Sequence, residues 1–391
     1  MGSIFADRIF RLGTETAFEV LARAKALERE GREIIHLEIG EPDFDTPQHI
    51  KDAAVKALME GYTHYVPAAG ILELREAIAE YIAETRGIEV DPDEVVVTPG
   101  AKPILFFGIL ACVNPGEEVM YPNPGFPIYE SVIRFVGARP VPLPLREEND
   151  FRLDPNDVRE KLTDKTKMII LNSPHNPTGS VLTRQDLEEI AQYVMKKEDL
   201  IILSDEVYSE ILYEGKHESI ASIPGMKEKT VIIDGFSKTF AMTGWRIGYG
   251  VMRKDLAQRI TQLMVNSNSC TCAFTQMAAI EALKGPKEPT RRMVEEFRRR
   301  RDVIVSGLNS IPGISCKTPK GAFYVFPNVK AFGMKSKQLA DLLLERAGVA
   351  VLAGTDFGEY GEGYIRLSYA NSVENIRKAI ERMKATLSEL I

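Results

Sequence analysis

One lysine stands among small and hydroxylated residues in the stretch Asp234-Gly235-Phe236-Ser237-Lys238-Thr239-Phe240-Ala241-Met242-Thr243-Gly244-Trp245-Arg246-Ile247-Gly248-Tyr249. No helical face or charge pattern asks for it there. A lysine in apolar surroundings gives up its proton readily and can attack a carbonyl to form a Schiff base. Eight positions on, Arg246 lies between Trp245 and Ile247, flanks that predict a setting away from open solvent. Its planar fork suits phosphate, and Ser237 and Thr239 add hydroxyls. These groups together call for a small molecule carrying an aldehyde and a phosphate. The competing reading is a buried lysine paired with Asp234.

The elements that must position this chemistry are short β-branched runs alternating with helical segments between Glu94 and Val251, the signature of an α/β sheet. Five runs each end in a polar constellation. Val95–Val97 leads to Gly100-Ala101-Lys102, Glu118–Tyr121 to Phe126, and Met168–Leu171 to Asn176. Leu200–Leu203 leads to Asp205 and Tyr208, and Val231–Ile233 to Lys238. Ligands of open α/β sheets bind beyond the carboxyl ends of the strands. That rule gathers Gly100, Phe126, Asn176, Asp205 and Lys238 at one rim.

Before the sheet, helical periodicity covers Phe18 to Gly31, Gln48 to Glu60 and Leu72 to Arg86, with a strand at Ile34–Leu37. After Gly285-Pro286 come a long charged helix (Arg291 to Leu308), strands at Gly321–Phe326 and Gly363–Ser368, and helices at Lys337–Ala347 and Val373–Ile391. The expected division is a large domain of residues 48–285 and a smaller α+β domain of 1–47 with 286–391.

Composition narrows the functional classes. The net charge is −7, so no basic footprint for nucleic acid or an anionic membrane is present. The longest apolar run, Ile104 to Val113, is about half the ~20 residues a membrane span needs. Met1–Ala6 lacks a signal peptide's apolar core and has Ala6 where a myristoylation motif wants Ser or Thr. Cys270 and Cys272, one residue apart, make neither a redox pair nor a metal framework. Four reduced cysteines fit a cytoplasmic protein, and no metal is expected.

Ser237-Lys238 followed by Gly244-Trp245-Arg246-Ile247-Gly248 resembles the lysine motif of class I/II aminotransferases, which use pyridoxal 5′-phosphate (PLP). The resemblance runs from Gly40 to Arg366, closest to the prokaryotic aspartate aminotransferase branch. It implies fold type I, with a mostly parallel central sheet in the large domain, and a homodimer with shared sites. In such a site Lys238 carries the cofactor and moves the proton, and Asp205 keeps the pyridine nitrogen protonated. Tyr208 and Asn176 donate to the ring oxygen, and Phe126 stacks on the ring. Ser237, Arg246, and the Gly100-Ala101 backbone at a helix start hold the phosphate. Tyr65 serves the neighbouring subunit's phosphate. Gly40 lets the substrate carboxylate approach, and Arg366 grips it with a bidentate pair.

Plainer roles stand beside several of these: a helix cap for Asp205, a turn for Asn176, core packing for Phe126, a solvent-facing place for Arg366. The resemblance makes the protein a ping-pong aminotransferase between an L-amino acid, aspartate favoured, and 2-oxoglutarate. An alanine or aromatic transaminase, a C–S lyase or a decarboxylase on the same fold are the alternatives. Lys102 matches the lysine that reads an acidic tail, as an ammonium repelled by Arg366 until an anion arrives, or else it lies on the helix surface. Phe18 falls where relatives present small residues, and narrows the pocket or receives an apolar tail.

Overall fold

Alternation along the short runs sends side chains to two faces of one sheet, and each face has its own core. Val95 and Val97 pack with Ile232 on one side, whereas Val96 packs with Val231 and Ile233 on the other. The computed structural model describes residues 4–390; the reading of the extreme N-terminus as free of a leader falls partly on Met1–Ser3, and the expected helix end at Ile391, outside that range.

In chain order the strands are β1 (Ile35–His36), β2 (Val95–Thr98), β3 (Glu118–Asn123), β4 (Arg139–Pro144), β5 (Thr166–Asn172) and β6 (Ile201–Asp205). Then follow β7 (Thr230–Gly235), β8 (Gly248–Val251), β9 (Tyr324–Val325), β10 (Val349–Ala350), β11 (Leu352–Ala353) and β12 (Ile365–Ser368). Seven of them form the central sheet, in the order β2-β8-β7-β6-β5-β3-β4. Only β8 runs against its neighbours, so the sheet is mostly parallel, as expected. The smaller sheets are β1-β10 and β11-β12-β9.

Two strands of the central sheet were not anticipated, nor were the short β10 and β11 of the smaller sheets. β4 carries Pro140, Pro142 and Pro144, which lack an N–H and read as loop. It lies at the sheet edge, where Arg139 and Leu145 still donate to Glu117 and Asn123 of the neighbouring strand, so the missing N–H groups face outward. β8 holds two glycines, and its hydrophobic signal is correspondingly thin. Among the described residues no helix is long and apolar enough to cross a membrane.

A buried ionic cluster pins the helix Leu72–Arg86 to the sheet. Its last residue, Arg86, donates to Glu206 at 3.0 Å and to Asp234 at 2.6 Å, with both partners buried. Gly87, in the left-handed region at φ 67°, ends the helix there. Asp234 is therefore spent on Arg86, which removes it as the partner of Lys238. Replacing Arg86 with Met should lower the unfolding free energy by about 3–5 kcal/mol, because two carboxylates would stay buried without their cation. A denaturation midpoint equal to that of the parent protein would show that the cluster carries no such weight.

Candidate active site

The sheet delivers its strand ends to one cavity of about 530 Å³. Its walls include Gly40, Ala101, Lys102, Phe126, Asn176, Asp205, Tyr208, Ser237, Lys238, Arg246 and Arg366. Lys238 sits on the short helix Phe236–Thr239, directly after β7. It is half-buried, its ammonium donating to the Gly40 carbonyl and standing 5.9 Å from the centre of the Tyr208 ring. Burial, with Arg366 and Arg246 adding to it against Glu41 and Glu15, lowers its pKa to about 8. A side chain at position 40 would collide with the Tyr324 hydroxyl, so glycine is what lets Tyr324 come so close to this backbone.

Asp205 ends β6. Tyr129 Oη donates to its carboxylate at 2.6 Å, and burial, only partly opposed by that bond, raises its pKa to about 6. A capping contact exists, but it is long: Val207 N–H reaches Oδ1 at 3.4 Å. The hydroxyls of Tyr208 and Tyr324 are 2.7 Å apart.

Arg366, on β12, is buried and not solvent-facing. Its guanidinium lies 4.6 Å from the Tyr324 ring centre and 4.9 Å from that of Phe357. One nitrogen donates to Asn176 Oδ1 at 3.2 Å and another to the Glu38 carbonyl, while the buried Nε has no partner. A buried donor left unpaired is costly, and an incoming carboxylate would meet it.

Around Gly100 the wall is built by close approach to the backbone. Gly100 has φ 86°, and a side chain there would run into Arg246 Nη2. Arg246 itself takes the left-handed conformation, φ 52°, and donates to the Thr243 carbonyl at 2.8 Å. The helix Lys102–Cys112 starts just beyond, its first N–H groups at the cavity wall.

Four expectations need correction. Arg246 is exposed despite its apolar flanks, because its left-handed turn carries it to the rim, where a second, shallower cavity begins. Thr239 is buried inside its helix and is not part of the wall. Lys102 is not an unmatched ammonium, since Glu15 holds it in an ion pair. Phe18 is 62% exposed and lies at the mouth, too open to narrow the pocket.

Gly100 contributes backbone beneath the wall and not lining surface, and Tyr65, 90% exposed, does not reach the cavity of its own chain. Sequence reasoning missed Tyr129, Tyr324 and Glu15. The strand holding Tyr324 was legible, but nothing local signalled that its hydroxyl meets Tyr208 across 116 positions.

A depressed lysine, an anion cradle and an unpaired buried arginine define a Schiff-base enzyme acting on carboxylates. The donor set fits PLP: the Arg246 guanidinium beside Gly100 could take a phosphate, and the buried Asp205 carboxylate and the Lys238 amine line the same cavity. The description "Aminotransferase class I and II" matches residues 32–383. An aspartate aminotransferase of Pyrococcus abyssi is 45% identical over 92% of each chain. Aromatic-amino-acid aminotransferase 2 of Thermococcus litoralis is 44% identical over 91% of this chain and 92% of its own. The structure of Thermus thermophilus aspartate aminotransferase with maleate superposes with a TM-score of 0.94 at 40% identity, covering 99% of this chain and 100% of that one.

The chain belongs to the aminotransferase class I and II family. It is a PLP-dependent aminotransferase, as the resemblance implied.

Gly61 shares the φ of 86° found at Gly100, but a methyl group added there would have nothing within 4 Å. Gly61→Ala should therefore cost only backbone strain, about 1 kcal/mol. Gly100→Ala should in addition push Arg246 aside and weaken PLP affinity by about tenfold or more, roughly the loss of one charge-assisted bond. Equal PLP affinities for the two variants, measured by fluorescence titration, would remove Arg246 from the cradle.

Proposed function

We propose that the protein transfers the amino group of an L-amino acid, aspartate first, to 2-oxoglutarate in a ping-pong cycle. The observation that carries this is one cavity joining the Lys238 amine, depressed to about 8, to the unpaired Nε of Arg366. The bound PLP supplies a carbonyl for the amine and a ring that accepts the electron pair left at Cα.

The chain's own residues do the rest. Lys238 would hold the cofactor through its amine and then carry the α-proton on Nζ. Asp205 would keep the ring nitrogen protonated, a cation that favours ionisation of a carboxyl burial has raised to about 6. Tyr208 and Asn176 would donate to the ring oxygen, with Tyr324 holding the Tyr208 hydroxyl in place. Phe126 would cover a ring face. Ser237, Arg246 and the Gly100-Ala101 backbone would bind phosphate. Arg366, steadied by Asn176 and two aromatic rings, would orient the α-carboxylate near Gly40.

Support for aspartate comes from the acid-reading place of Lys102 in the wall, from the name of the P. abyssi relative, and from the maleate bound by the T. thermophilus enzyme. The aromatic name of the T. litoralis relative supports the second reading, a transaminase of aromatic amino acids.

The cofactor-binding unit is taken as 48–285, a range that contains all seven strands of the central sheet, with 1–47 and 286–391 as the smaller unit. Exposed Tyr65 suits a homodimer in which it serves the other copy's phosphate. Four cysteines without disulfides suit the cytoplasm.

Amino acids should convert the bound cofactor to its pyridoxamine form, and 2-oxoglutarate should reverse this; aspartate should lead a panel with alanine and phenylalanine. Release of carbon dioxide or of a thiol in place of a 2-oxo acid would overturn the reading. Borohydride should fix the cofactor to Lys238, and Lys238→Ala should abolish both trapping and turnover. Only the neutral amine attacks, so capture of PLP by cofactor-free protein should accelerate about tenfold per pH unit up to about 8 and level off above it. A rate still climbing at pH 10 would mean that burial does not depress this lysine.

A further inference from the structure

Four basic side chains line the cavity: Lys102, Lys238, Arg246 and Arg366. The proposed reaction would occupy three of them: Lys238 with the cofactor's carbonyl, Arg246 with its phosphate and Arg366 with the α-carboxylate. Lys102 is left to meet the far end of a substrate, and it is already matched by Glu15. Within this pair the carboxylate is the more enclosed member, its side chain 19% exposed against 47% for the lysine. The same ammonium lies 5.4 Å from the centre of the Phe126 ring, so the pair stands beside the surface assigned to the cofactor ring.

Glu15 occupies the N-cap of the helix Thr16–Arg29 yet makes no capping bond with its side chain. Ser, Thr, Asp or Asn would cap that helix better, so local helix stability does not explain a glutamate here. Its carboxylate is spent across the cavity mouth. The segment that carries it is lightly held: the turn Asp7–Arg11 buries no side chain, and Gly13 N–H donates to Ser131 Oγ at 2.8 Å.

We propose that Glu15 is a specificity-determining residue whose carboxylate takes, on Lys102, the place of a dicarboxylic substrate's distal carboxylate. The inference rests on the aminotransferase reading above and names how its substrate class is set. An amino acid with an uncharged tail finds Lys102 already neutralised and leaves no cation of the cavity wall without a partner. An acidic tail must displace Glu15, because two carboxylates crowded on one ammonium repel each other. Selectivity is the difference between the two affinities, and Glu15 lowers only the acidic one.

The test uses holoenzyme and two unreactive probes, maleate and 3-phenylpropionate, whose dissociation constants are read from the absorbance of the bound cofactor. Glu15→Gln should tighten maleate about tenfold, the equivalent of about 1.4 kcal/mol. It should raise kcat/KM for aspartate by a similar factor and move 3-phenylpropionate less than twofold. In a Lys102→Gln background the same Glu15 substitution should leave maleate unchanged. An equal shift for both probes, weaker maleate binding, or an effect that survives without Lys102 would each overturn the assignment. Failure of the aminotransferase reading shows separately, in the unsubstituted holoenzyme, as no conversion of the cofactor by any amino acid, and it overturns this inference too.

Discussion

The active site depends on one close backbone contact. β8 returns beside β7 so that Gly248 lies against the Gly100-Ala101 turn, and a side chain at 248 would collide with the Ala101 nitrogen. The contact holds three segments in one place: the start of the helix Lys102–Cys112, the Lys238 turn after β7, and the Arg246 turn before β8. Helix N–H groups, amine and guanidinium then converge without any of their side chains having to stretch. Such an arrangement is pre-organised, and the reacting groups give up little freedom when a ligand arrives.

The second constraint is desolvation. Lys238, Asp205 and Arg366 each carry charge where water is scarce, and none of them has an opposite charge as its nearest hydrogen-bond partner. Lys238 meets a carbonyl, Asp205 a phenol, and Arg366 an amide and a carbonyl. Burial pushes the lysine down to about 8 and the aspartate up to about 6, close to the pH at which each is asked to work. A full salt bridge would hold Lys238 protonated and unable to attack, and would occupy the charges of Asp205 and Arg366 that a ligand has to meet. Glu206 in the cluster with Arg86 shows the contrast, since there His217, Arg86 and Ser219 outweigh burial and hold it down to about 2, whereas burial still raises its neighbour Asp234 to about 6.

Where the sheet and its rim would lie could be read from sequence because strand runs and the residues after them are local features. Val95–Val97, Met168–Leu171 and Val231–Ile233 carry their own periodicity, and topology then puts their ends together. β4 was hidden because proline argues against a strand unless the strand is at an edge, and edge position is a property of the whole sheet. Arg246 misled for a related reason: apolar neighbours predict burial only while the backbone continues regularly, and here it turns left-handed. Tyr129, Tyr324 and Glu15 act on partners 76, 116 and 87 positions away, and no window of sequence holds both members.

The two ends of the cavity are built differently, and this bears on how such a chain comes to accept one amino acid over another. The Arg366 end is fixed by a buried strand, two aromatic rings and Asn176, so altering it would disturb the core. The Lys102 end is an ion pair at the mouth, between the first residue of one helix and the residue before another. Substitutions there touch little packing and are tolerated in stability terms. Relatives at 45% and 44% identity bear names for aspartate and for aromatic amino acids. A difference carried by one or two residues at the mouth would not register in overall identity. The common step, gripping the α-carboxylate and moving the α-proton, would stay the same in both.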